Sequence, residues 1–218
     1  MYLQLFRQIF ILILVMLSPY SLTAATAEPM KIVAFGDSLA AGYGLPAKEG
    51  FTVKLQAALQ AKGHDVIVVN AGVSGDTTSG GISRMDWSVG PDTDAVILEL
   101  GANDMLRGIS VDIVRTNLNT IVQSFMDRDL PVLIAGMLAP RNMGEAYTKK
   151  FDAIYPELAK KYGTLIYPFF LDGVVGDPNL NQPDGVHPSA EGVDVIVERM
   201  LPKVEELIAQ VKLSEASQ

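Results

Sequence analysis

Four short polar segments hold the residues with chemical capacity: Gly36-Asp37-Ser38, Ser74-Gly75-Asp76, Gly101-Ala102-Asn103-Asp104 and Asp184-Gly185-Val186-His187. A serine hydroxyl is a poor nucleophile until a neighbouring base takes its proton. The chain has no cysteine and two histidines, His64 and His187. Any imidazole base must therefore be one of those two, and thiol nucleophiles, disulfides and cysteine-ligated zinc are excluded. His187 is the candidate base, because Asp184 sits three residues before it, where a carboxylate can fix the tautomer and orientation of the ring. Ser38 is the candidate nucleophile: in a strand-to-helix turn opened by Gly36, its hydroxyl is presented with its own backbone N–H alongside. The tetrahedral intermediate of acyl transfer needs donors directed at its oxyanion. Ser38 N–H, Gly75 N–H and the Asn103 side-chain amide offer three, from three separate segments. At Gly75 the missing side chain lets backbone approach a substrate. With two histidines and no cysteine, a histidine-rich metal site is not expected.

Each segment alone has a plainer reading. Gly-Asp-Ser after a strand is often a turn with a helix cap, and Ser-Gly-Asp-Thr-Thr a loop with an N-cap. Gly-x-Asn-Asp reads as a turn in which Asp104 caps the next element, and Asp-x-x-His before Pro188-Ser189 as a capping sequence. Asp37 and Asp76 are assigned to turn and cap duties. His64 is a polar residue entering a strand, and Trp87 and 167–170 belong to core or rim. The order of the four segments and their place in the fold favour chemistry.

The elements that must position them alternate between strand and helix. Short apolar runs at 31–35, 65–69, 95–100, 131–135 and 164–167 read as buried strands. Helical spacing appears at 51–61, in a Gly-containing stretch from 78 to about 87, and at 111–128, 146–162 and 190–211. In 111–128 the stripe is Ile113, Leu118, Ile121, Val122 and Phe125. In the last helix it is Val193, Ile196, Met200, Val204 and Ile208, with a kink or break expected at Pro202. This alternation implies one α/β domain: a three-layer α/β/α sandwich around a parallel, flavodoxin-like five-stranded sheet with right-handed crossovers. Ligands in that architecture bind beyond the carboxyl ends of the strands, where the four segments lie.

The chain has 218 residues, 49% of them hydrophobic, and a formal net charge of −8. That supports one sizeable core and excludes disordered and collagen-like chains. An acidic body argues against a nucleic-acid partner. Residues 1–27 read as a cleaved signal peptide: Arg7 in the n-region, an apolar run at 9–17, Pro19, and the small residues Ala25-Thr26-Ala27. The run falls short of the ~20 residues that span a bilayer. The expectation is a periplasmic or secreted protein of residues 28–218, without stable membrane insertion once the signal is removed.

The four segments resemble blocks I, II, III and V of the SGNH (GDSL-type) hydrolases, named for Ser, Gly, Asn and His. The likeness continues between the blocks, at 36–43, 69–78, 99–108 (ELGANDMLRG) and 151–162, and is similar to the bacterial thioesterase I, lysophospholipase and arylesterase branch. It spans nearly all of 30–210. The resemblance carries the nucleophile to Ser38, the oxyanion donors to Ser38, Gly75 and Asn103, the base to His187 and its orienting carboxylate to Asp184. It implies the fold already argued and a cofactor-free serine hydrolase of small-molecule acyl esters or thioesters. Leu106, Ala139, Pro140 and Met143 are the residues expected to contact the acyl group. Two departures stand out. Ala40 occupies a position where members often carry Ser, and the Ala139-Pro140-Arg141 stretch is one residue longer than in that branch.

Other readings have less support. No G-x-G-x-x-G or G-x-x-x-x-G-K-[ST] is present, and Asp76 takes the last Gly position of a near G-x-S-x-G at Gly72-Val73-Ser74. A carbohydrate O-acetyl esterase of the same family type, or a non-catalytic α/β module binding a small ligand at the same edge, would share these features.

Overall fold

The protein is described by a computed structural model covering residues 28–216. The proposed signal segment, 1–27, lies outside the described residues. Five parallel strands form the sheet in the order β2-β1-β3-β4-β5: β1 Met30–Gly36, β2 Val66–Gly72, β3 Ala95–Glu99, β4 Val132–Ala135 and β5 Leu165–Tyr167. Every residue of β3 and of β4 is buried, as a sheet covered on both faces requires. The helices are α1 Ser38–Ala41, α2 Phe51–Ala61, α3 Thr78–Ser88, α4 Ala102–Leu106, α5 Val111–Met126, α6 Glu145–Asp152, α7 Ile154–Tyr162 and α8 Ala190–Glu215. Helix α2 packs against α8, and α5 against α3 and α7. Among the described residues no helix is long and apolar enough to cross a membrane.

Three helical expectations are corrected. The helix expected over 146–162 is two, meeting at Ala153. Pro156 explains the break: it has no N–H for the carbonyl of Asp152, four residues back, and its ring crowds that carbonyl. Helix α8 runs unbroken through Pro202 to Glu215, its stripe of Val193, Ile196, Met200, Val204 and Ile208 fully buried. In α5 the buried stripe runs through Val111, Val114 and Leu118, and Ile113 is 49% exposed. Ile113 precedes Leu118 by five residues and so stands ~140° around the helix from it. Trp87, expected in core or rim, is exposed.

The register brings the functional segments together. Gly36 at the end of β1 pairs with Gly72 of β2 and Glu99 of β3, so the loops after these strands leave one edge side by side. Chain order reverses between β1 and β3, which is where a doubly wound sheet opens a crevice. Ser38 follows β1 and Asn103 follows β3, one on each side of that crevice.

Candidate active site

Ser38 is the first residue of α1 and is 9% exposed. Its turn is held by Asp37, whose Oδ1 accepts the Leu39 N–H at 3.0 Å. The turn is also tight against β3: a Cβ on Gly36 would lie 2.6 Å from Glu99 Oε2 and 2.7 Å from Glu99 O. Only glycine lets the strand end so close to its neighbour.

His187 arrives on the loop before α8. Its Nε2 lies 2.9 Å from Ser38 Oγ and its Nδ1 2.7 Å from Asp184 Oδ2. The other oxygen of Asp184 accepts the Val186 N–H at 2.9 Å and the His187 N–H at 3.0 Å. The backbone N–H of His187, then its ring, then the Val186 N–H lower the Asp184 pKa to about 2. The carboxylate is therefore ionised throughout the neutral range and accepts the Nδ1 proton. That leaves the Nε2 lone pair facing the Ser38 hydroxyl. The stabilisation this depressed group gives is complete above the ordinary carboxylate range and is lost as pH falls through about 2.

The loop is held from outside as well. Gln182 N–H donates to the His187 carbonyl at 2.7 Å, and its side-chain Nε2 donates to the carbonyls of Tyr43 (2.7 Å) and Pro188 (3.0 Å). The Tyr43 ring packs on the imidazole with centroids 4.6 Å apart. The two Tyr43 contacts are not legible in the sequence, because they join loops far apart in the chain.

Asn103 lies in the first turn of α4. Its Nδ2 donates to Asp37 Oδ2 at 2.9 Å, so the amide presents its donor edge next to Ser38 and keeps a second N–H. Gly75 has φ +80, a left-handed conformation that a side chain would strain by roughly 1–2 kcal/mol. A Cβ there would meet only Arg107, at 3.5 Å. The need for glycine is thus conformational rather than a matter of close approach. The Gly75 carbonyl accepts from Arg107 Nη2 at 2.6 Å.

A cavity of about 210 Å³ opens from Ser38, Asn103 and His187. Met105, Leu106, Met137, Leu138, Pro140 and Phe169 supply much of its apolar wall. Of the four residues expected against the acyl group, Leu106 and Pro140 line it. Ala139 does not: it is 3% exposed and its N–H is committed to Asp152 Oδ1 at 2.8 Å. Met143, at the end of the short 3₁₀ turn Arg141–Met143, is not among the lining residues either. Gly75 is also absent from the wall, though Arg107, which holds it, follows Leu106. His64 is elsewhere, 3.1 Å from Glu205 of α8.

Several positioning groups escaped the sequence reading. Arg84 of α3 is buried and donates to Asp76 (2.6 Å), to the Ala71 carbonyl (2.7 Å) and to the Gly36 carbonyl (2.7 Å), tying together the ends of β1 and β2. Asp104 does not cap its own helix. It accepts the Thr78 N–H at 2.8 Å and the Thr78 hydroxyl at 2.6 Å, binding the loop after β2 to that after β3. The one available signal was Arg84 three residues after buried Gly81, a charge on the inner face of a helix.

The sequence profile of the GDSL-like lipase/acylhydrolase family matches residues 34–195. An arylesterase of Vibrio mimicus is 37% identical over 180 residues, 82% of this chain and 90% of that one. Thioesterase 1/protease 1/lysophospholipase L1 of Escherichia coli K12 is 34% identical over 186 residues, 85% of this chain and 87% of that one. Among solved structures, AlinE4, an SGNH-hydrolase family esterase, is 44% identical with a TM-score of 0.71, covering 84% of this chain and 98% of that one.

Proposed function

Because the chain belongs to the GDSL-like lipase/acylhydrolase family and is an esterase-type serine hydrolase, we propose that it cleaves short- to medium-chain carboxylic esters, including aryl esters and lysophospholipids, and acyl thioesters, through an acyl-enzyme on Ser38. The observation that carries this reading is the continuous relay from Ser38 Oγ to His187 Nε2 at 2.9 Å and from His187 Nδ1 to Asp184 at 2.7 Å. As Ser38 Oγ attacks the carbonyl carbon, His187 Nε2 takes its proton, and Asp184 stabilises the imidazolium that forms. His187 then gives that proton to the departing alcohol, phenol or thiol. A water attacks the acyl-enzyme in the same manner, with His187 again as base. The oxyanion of each tetrahedral intermediate is met by the N–H groups of Ser38 and Gly75 and by the Asn103 amide. Neither backbone N–H has an acceptor among the described residues. The apolar cavity of about 210 Å³ takes the acyl chain. It is below the ~300–1,000 Å³ of sites for drug-sized ligands, which supports short and medium chains.

The 1–27 segment supports an exported enzyme, periplasmic or secreted. CoA, a cytoplasmic polyanion, fits poorly as the physiological leaving group of an exported protein whose full chain already carries a formal net charge of −8. N-terminal sequencing of exported protein is expected to begin after Ala27. A start at Met1 in a membrane fraction would favour an uncleaved anchor.

A serine-directed aryl phosphonate followed by peptide mapping tests the mechanism, with the adduct expected on Ser38. No adduct would indicate a non-catalytic binding module, and an adduct on Ser74 would move the nucleophile. A panel of aryl esters of increasing chain length, lysophospholipid, acyl thioester and acetylated xylan defines the substrate. Preference for the acetylated sugar would favour the carbohydrate esterase reading.

Asn103→Ala is expected to lower kcat and kcat/KM together, by roughly 100- to 1,000-fold, with KM little changed. An oxyanion donor acts when charge develops on the carbonyl oxygen, not when neutral ester binds. A variant with a lower melting temperature but normal kcat per folded molecule would remove Asn103 from the site.

A further inference from the structure

Two buried carboxyl groups lie beside the site and take no part in the steps of acyl transfer. Asp37 is fully buried, and Glu99, the last residue of β3, is 1% exposed. The Asp37 N–H donates to Glu99 Oε2 at 3.1 Å. The Asp37 carboxylate takes donors on both oxygens: Oδ1 accepts from Leu39 N–H at 3.0 Å and Oδ2 from Asn103 Nδ2 at 2.9 Å. Its Oδ1 is also 3.4 Å from Ser38 Oγ. Glu99 Oε1 is buried with no hydrogen-bond partner. Among the described residues Glu99 forms no ion pair. The buried guanidinium of Arg84 is committed to Asp76 and to the carbonyls of Ala71 and Gly36.

Two adjacent carboxyls in a dry interior without a cation do not both ionise. Asp37 accepts from the Leu39 N–H, from Asn103 and from the Glu99 carboxyl itself, whereas Glu99 accepts only from the backbone N–H groups of Asp37 and Ala40 and leaves Oε1 without a partner, so the negative charge belongs on Asp37 and the proton on Glu99. Burial, and then the charge of Asp37, push Glu99 well above the ordinary carboxylate range. Burial also raises Asp37, against the Leu39 N–H, Glu99 and Asn103, which lower it.

The consequence falls on Asn103. An ionised carboxylate only accepts hydrogen bonds, so Asp37 selects the NH₂ edge of the amide. A protonated Asp37 could instead donate to the amide oxygen and put an oxygen where the oxyanion needs a donor. An ionised Glu99 would add a second negative charge beneath a site where negative charge develops.

We propose that Glu99 is a positioning residue that works as a neutral acid: it braces the Asp37 peptide and leaves Asp37 as the carboxylate that holds the Asn103 amide with its donor edge toward the oxyanion. This rests on the acyl-enzyme reading of Ser38 and Asn103.

The test uses the full chain. The infrared spectrum at neutral pH is expected to contain a protonated-carboxyl C=O stretch that disappears in Glu99→Gln. That variant keeps a neutral side chain with an acceptor for the Asp37 N–H, and kcat close to wild type is expected. Glu99→Ala is expected to lose about 10- to 100-fold in kcat per folded molecule with KM little changed, the scale of a small misplacement of catalytic groups. The double variant Glu99→Ala/Asn103→Ala is expected to lose no more than Asn103→Ala alone. Absence of the infrared change would overturn the proposal, as would a Gln variant as impaired as the Ala one, or losses that multiply in the double variant. The infrared comparison stands even where Glu99→Ala does not fold. Failure of the phosphonate to label wild-type Ser38 would sink the acyl-enzyme reading itself. Labelling together with any of the three contrary results sinks only the role of Glu99.

Discussion

Replacement of Ser38 by alanine is expected to lower kcat by about 10⁴-fold or more, with melting temperature changed by about 1–2 °C. The reason is local. In the proposed mechanism the hydroxyl forms the acyl-enzyme, and without it no covalent intermediate exists. Binding and oxyanion stabilisation remain, and they leave only a residue of the catalysis. The fold has little stake in this atom. Its hydrogen bonds are to His187 at 2.9 Å and, longer, to Asp37 at 3.4 Å. Asp37 still caps Leu39 in the variant. Steady-state kinetics and a thermal melt on the same purified protein check both halves, along with loss of phosphonate labelling. Turnover near the wild-type rate in soluble Ser38→Ala would eliminate the mechanism.

His187→Ala is expected to cost kcat on the same scale, about 10⁴-fold or more, because one imidazole serves both acylation and deacylation. The losses do not multiply. Ser38 and His187 act as a unit, so the double variant is expected to be no slower than the slower single variant. His64→Ala is the matched control. His64 is a partly exposed partner of Glu205 and Lys62 bonds the same carboxylate, so its loss is expected to cost at most about 1 kcal/mol of stability and leave kcat unchanged. Kinetics of the two single variants, each assayed as folded protein, decide between the histidines. A large loss from His64→Ala with His187→Ala active would reverse the assignment.

Asp184 shows how much of the relay was legible in the sequence. Its spacing from His187 put a carboxylate within reach of the imidazole, and the observed contact is 2.7 Å. Gly75 and Asn103 were legible as types in glycine-rich turns after strands. Ala139 and Met143 were not correctly placed, because their positions depend on a loop that folds against Asp152. Ile113 was misplaced by reading a helical stripe one residue early. The break at Ala153 could have been drawn from Pro156, while α8 tolerates Pro202 in a helix whose apolar stripe is fully buried.

The sequence by itself determined the alternation of strand and helix, the parallel sheet and the chemical type of each site residue. A strand buried on both faces must be an apolar run, and a helix with one buried face must repeat at its own period; both are local constraints that leave local marks. Only the tertiary structure decided which groups meet. Ser38 and His187 are 149 residues apart in the chain, and the order β2-β1-β3 sets Asn103 across a crevice from Ser38. The tertiary structure alone also decided the partners of Arg84, Asp104, Asp37 and Glu99. A buried polar group has to find a complementary atom wherever the fold brings one, and that requirement has no period in the sequence for a reader to detect.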